Sequence, residues 1–200
     1  VAKQYGIPIF PTIGEALRSG GKELAVDAVL SIGEHGSYPK NDRSQHMYPR
    51  KRFFDEIVAV FRQSGRVVPL FNDKHLSYRW DWAYEMMDVA RELKIPFMAG
   101  SSVPLAQRRP PIEMPDDADI EEAVSIHSGG LESYDFHAME VLQSFVESRR
   151  GGETGVSEVQ LIEGDAVWKA ADEGRSREQL ELTAMGAAEG NNFGSLRSFV

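Results

Sequence analysis

The sequence predicts an α/β protein: a three-layer parallel sheet in the first half, followed by a smaller α+β portion. Two observations lead there. Short β-branched apolar runs alternate with amphipathic stretches of helical period. Each run is joined to the next helix by a short connection, as crossovers between parallel strands require. A third observation marks the limit of this pattern: four of the ten prolines fall within 103–119, and the alternation stops there.

The elements follow in order. "AVDAVLSIG" (25–33) reads as a buried strand ended by Gly33. "RKRFFDEIVAVFRQSG" (50–65) carries Phe53, Phe54, Ile57, Val58 and Phe61 on one helical face, with Gly65 as its stop. "RVVPLFN" (66–72) is a second strand, and Pro69 marks it as an edge or a bulge. "WDWAYEMMDVARELK" (80–94) is a second amphipathic helix whose Trp80, Trp82, Met86 and Met87 read as core. "IPFMAGSS" (95–102) is a third strand. Beyond the proline-rich stretch the pattern predicts a strand at 121–129, a helix from Tyr134 to Arg149 and a strand at 156–164. Helices at Asp165–Asp172 and Arg177–Ala188 follow. The organisation expected is therefore an α/β portion over 1–105, a connection over 106–119 and an α+β portion over 120–200.

Composition narrows the function classes. At 42% hydrophobic and 26% charged, the chain has the balance of a soluble globular protein. Its formal charge of -9 argues against nucleic acid and against an anionic membrane surface, because phosphate contacts need clustered Lys and Arg. Without cysteine there is no disulfide, thiolate metal site or cysteine nucleophile. No apolar stretch approaches a bilayer span, and the first residues lack the n- and h-regions of a signal peptide. A cytoplasmic protein acting on a small molecule is the expectation, with homo-oligomerisation left open.

In a parallel sheet, ligands gather at the carboxyl ends of the strands. The first strand is followed there by Glu34 and His35, flanked by Gly33 and Gly36. The second is followed by Asp73, Lys74 and His75, and the third by Ser101, Ser102 and Arg108. Lysine can be tuned toward neutral pH by partial burial and so serve as acid or base. Further on, Asp135, His137 and Glu140 lie near the start of a helix. His137 and Glu140 are three apart and so share one face. Each cluster also has an ordinary reading, as a capped turn or as acids suiting a helix N-terminus. His46 and His127 belong to no constellation in the sequence.

The order of these elements, with the words "VDAVLSIGEHG", "GRVVPLFNDKHLS" and "VARELKIPFMAGSS", resembles the later part of the nucleotide-binding domain of the glucose–fructose oxidoreductase / inositol dehydrogenase (Gfo/Idh/MocA) family. The resemblance covers about residues 1–105 and implies a Rossmann-like three-layer parallel sheet. It places Lys74 at the lysine of the family's Glu-Lys-Pro motif, with Asp73 for the glutamate and His75 in place of the proline. "YDFHAME" is similar to the family's His-x-x-Asp helix, here His137-x-x-Glu140. It implies an oxidoreductase using NAD or NADP on a sugar- or polyol-like substrate. Lys74, His137, Glu140 and Asp73 would be catalytic. Gly33, Glu34 and Ser101 would lie at the cofactor, and His35, His75 and Arg108 at the substrate. The family's glycine-rich G-x-G-x-x-G unit does not occur in this chain, which opens without methionine, so an N-terminal truncation is one expectation.

Two other classes stay open. Glu34, His35, His75 and His137 could hold a divalent metal in a hydrolase, lyase or isomerase. The chain could also be a ligand-binding module without catalysis.

Overall fold

The computed structural model describes residues 1–33, 36–127, 131–162 and 164–173. They belong to two compact units, Val1–Gly100 and Ser101–Val200, a division ahead of the connection expected at 106–119.

The first unit is a mixed α/β structure. A 3-10 turn at Ala2–Tyr5 precedes α1 (Ile13–Leu17), β1 (Val29–Ser31), α2 (Arg50–Ser64), β2 (Leu70–Asp73), α3 (Trp80–Glu92) and β3 (Phe97–Gly100). The three strands form a parallel sheet in the order β1-β2-β3. Val29, Leu70 and Phe97 share one row of the register, and Leu30, Phe71 and Met98 the next.

Local chemistry sets the boundaries. Thr12 caps α1, its Oγ1 accepting the Glu15 N–H at 3.2 Å. Gly65 ends α2 at φ 60, the left-handed conformation glycine adopts without strain. Pro69 does not mark an edge, because β2 is the central strand. Proline sits just before the first paired residue, where no N–H is needed, and its carbonyl accepts the Val29 N–H at 2.9 Å.

Phe54, Ile57, Val58 and Phe61 of α2 pack in one core with Met86 and Ala90 of α3 and with Val29 and Leu70 of the sheet. Each such large side chain, once buried, contributes about 1.5–3 kcal/mol. Leu17 of α1 joins the same core. The opposite face of the sheet is different: Leu30 is 69% and Met98 63% exposed. Crossovers of one hand that step in the same direction put their helices on the same face. The described elements of this unit therefore make two layers, not the expected three. Trp80 is also displaced from the expected core: it opens α3 and is 80% exposed, whereas Met86 is wholly buried.

The second unit contains a 3-10 turn (Val103–Leu105), α4 (Leu131–Val146) and α5 (Asp165–Asp172). The helix expected from Tyr134 thus begins one turn earlier. The strands expected at 121–129 and 156–164 are irregular over their described residues, 121–127, 156–162 and 164. A strand needs a neighbour to take its N–H and C=O groups. Apolar alternation alone, as at Val124 and Ile126, does not supply one. The helix expected at Arg177–Ala188 lies outside the described residues. Among the described residues no helix is long and apolar enough to cross a membrane.

Candidate functional site

The central strand ends at Asp73, and Lys74 follows in the left-handed conformation at φ 63. Its N–H donates to the Gly100 carbonyl at 2.9 Å, so the turn is anchored on the end of β3. An L-residue in this conformation costs about 1–2 kcal/mol, and the surrounding structure has to hold it there. Beneath it lies Asn72, 1% exposed, whose Nδ2 is 3.5 Å from the carbonyls of both Asp73 and His75. Asp73, Lys74 and His75 are all half-buried at the carboxyl end of the sheet.

His75 is held from a second side. Its Nε2 lies 3.0 Å from the guanidinium of Arg50, the first residue of α2. Arginine can only donate, so the imidazole accepts at Nε2. The Arg50 guanidinium also lies 4.6 Å over the ring of Tyr48, which packs edge-on to His75 at 6.0 Å and to Tyr38 at 5.3 Å. His46 stands 5.7 Å from the same ring and is therefore part of this aromatic cluster. Sequence reasoning missed Arg50, Tyr48 and Tyr38. One signal was available: a cation at the first position of a helix opposes the helix dipole, and it is rarely buried there without a purpose.

Of the residues after β1, Glu34 and His35 lie outside the described residues. Gly33 has a steric explanation. A Cβ there would stand 2.3 Å from Cε2 of Phe53, so the ring occupies the space that a side chain would need.

In the second unit, Ser101, His137 and Glu140 come together. Ser101 is 7% exposed, and its Oγ lies 2.6 Å from Nδ1 of His137. The Ser101 N–H donates to Oε2 of Glu140 at 3.3 Å, and its Oγ accepts the Val103 N–H at 3.0 Å. The spacing of His137 and Glu140 along α4 thus brings both to one serine. Asp135 is buried, 5% exposed, and its carboxylate pairs with Nε2 of His127 at 2.9 Å. His127 is accordingly not the isolated histidine that its sequence neighbourhood implied. Arg108 lies 4.2 Å over the Phe145 ring and donates to the Ile112 carbonyl at 3.1 Å, contacts that brace its own loop. A groove of about 610 Å³ between Ile120–Ser125 and the Val141–Val146 stretch of α4 contains none of the expected site residues.

A metal would need several of these groups at one point. Among the described residues no three His, Asp or Glu side chains gather closely enough to hold an ion. Two of the four candidate ligands, Glu34 and His35, are outside that set. Comparison of the chain with protein-family models, with curated proteins and with solved structures finds no match.

Proposed function

We propose that this chain is an oxidoreductase of Rossmann-like fold, related to the Gfo/Idh/MocA family, acting on a carbinol or carbonyl carbon of a sugar- or polyol-like molecule with NAD or NADP. The observation that carries the proposal is the placement of Lys74. It follows the central strand of a parallel sheet, at the carboxyl end, in a backbone conformation that has to be held against its intrinsic cost.

The residues of this chain suit the reacting end of such a cofactor. Lys74, Asp73 and His75 offer donors and acceptors for hydroxyl groups. They do not suit its pyrophosphate, since the sequence has no G-x-G-x-x-G turn after a strand. When bound, the nicotinamide would take or supply the hydride. What this chain adds is proton chemistry. A neutral Lys74 can accept the hydroxyl proton as a carbinol is oxidised, and its ammonium can return it in reduction. Arg50 and Asn72 hold the two sides of that turn, which keeps Lys74 from relaxing into the preferred right-handed region.

The test is direct. Purified protein is titrated with NADH and NADPH, following fluorescence and heat, and is then assayed on a panel of sugars and polyols. Binding is expected, with turnover falling by about 100-fold or more in Lys74→Ala while dinucleotide affinity persists. Absence of binding by both dinucleotides ends the proposal. Binding of sugars without turnover in the unaltered protein would instead favour a ligand-binding module.

A further inference from the structure

The second unit contains a stretch of chain built like a strand but lacking a neighbour among the described residues. From Glu122 to His127, exposed and half-buried residues alternate one by one, the two-residue period of an extended chain. The stretch is pinned at both ends. Ala118 donates to the Ser148 carbonyl at 3.3 Å and accepts the Arg150 N–H at 3.0 Å, and His127 pairs with Asp135 of α4 at 2.9 Å. Between these ends, no hydrogen bond joins the main chain of 120–126 to another described residue. An extended backbone with open N–H and C=O groups is a template for one more strand.

Beside that edge runs the groove of about 610 Å³, lined by Val141, Leu142 and Phe145 of α4 and by Ile120 and Val124. Its rim is acidic. Six carboxylates and no Lys or Arg fall within 113–122, and Asp119, Glu121 and Glu122 line the groove itself. Two arginines reach the lining and both are engaged: Arg150 by Asp119 at 3.1 Å, and Arg108 over the Phe145 ring at 4.2 Å. Glu121 and Glu122 are exposed and, among the described residues, carry no ion pair.

We infer that 120–126 is a docking edge for an extended segment of a partner protein in which Lys or Arg alternates with apolar residues. Main-chain pairing supplies the affinity of such strand addition, and side-chain pockets supply the specificity. The partner's apolar side chains would enter the groove against Leu142 and Phe145, and its cations would meet Glu121 and Glu122. A second copy is a poor occupant. Isologous pairing would bring 113–122 against itself, six carboxylates facing six. None of these residues belongs to the Lys74 turn, so the inference does not depend on the oxidoreductase reading.

The test uses the full-length protein and a short labelled peptide alternating lysine and valine, followed by fluorescence anisotropy and amide hydrogen exchange. Binding is expected, with slowed exchange at 120–126. Affinity should fall about tenfold in the Glu121→Lys, Glu122→Lys double variant, and binding should be lost when the peptide is N-methylated along its backbone. Both substituted residues are exposed, so folding is not at stake. Absence of binding overturns the inference. Equal affinity for the N-methylated peptide, or for one alternating glutamate and valine, does so too, as does protection that falls outside 120–126. Amides of 120–126 already protected in the protein alone would overturn it as well, since the edge would then be filled by this chain or by a second copy.

Discussion

The guanidinium of Arg50 reaches Nε2 of His75 at 3.0 Å, joining the first turn of α2 to the residue after Lys74. Arg50 is 3% exposed, and replacing a buried charged group by an apolar one removes its hydrogen bonds from every group it touches. Arg50→Met should cost about 2–3 kcal/mol in urea unfolding. Arg50→Lys should recover less than half of this, because an ammonium does not reproduce the planar fork over Tyr48. An Arg50→Met protein of unaltered stability would show that the contact is incidental.

Lys74 gives a prediction that separates backbone from side chain. At φ 63, glycine is at ease and alanine is strained. Lys74→Gly should therefore be more stable than Lys74→Ala by about 1 kcal/mol. Both should lack the proposed turnover. Equal melting of the two variants would mean that the turn relaxes when the lysine is lost.

Neighbouring rows of the register face different surroundings. Leu70, in the core row, is 2% exposed, while Met98 of the next row is 63% exposed. Leu70→Ala should cost about 2–5 kcal/mol. Met98→Ala should stay within about 0.5 kcal/mol. A large loss at Met98 would mean that this face is covered in solution.

Gly33 and Phe53 should be coupled. Gly33→Ala forces the new methyl against the Phe53 ring and is expected to cost about 1–3 kcal/mol. Much of that loss should be restored in the double variant with Phe53→Leu. Simple additivity of the two changes in thermal unfolding would refute the steric account.

Lys51 gives the alkaline behaviour. Its side chain is 13% exposed, and burial disfavours the ammonium. Hydrogen bonds to Asp55 at 2.7 Å and to Glu85 at 3.2 Å outweigh this and hold the pKa above its ordinary 10.5. The folded value lies above the unfolded one. The contribution is therefore complete below the ordinary lysine range and is lost as pH rises through the raised value. Lys51→Met should cost about 1 kcal/mol at neutral pH and flatten stability against pH above that range. An unchanged alkaline profile would remove Lys51 from the account.

The sequence by itself determined α2 to α5 and the three parallel strands, because periodicity and glycine stops act over a few residues. Gly65 after α2 and the apolar face of Phe54, Ile57, Val58 and Phe61 are local facts, and they appear as expected. It also put His137 and Glu140 on one helical face, since a spacing of three residues brings side chains together there. Only the tertiary structure decided what they meet. Ser101 precedes His137 by thirty-six positions, Arg50 precedes His75 by twenty-five, and Asp135 pairs with His127. The failed strands at 121–127 and 156–162 have the same cause. A hydrophobic alternation records a chain's preference, but strand formation depends on a partner for its backbone groups, and that partner is distant in sequence.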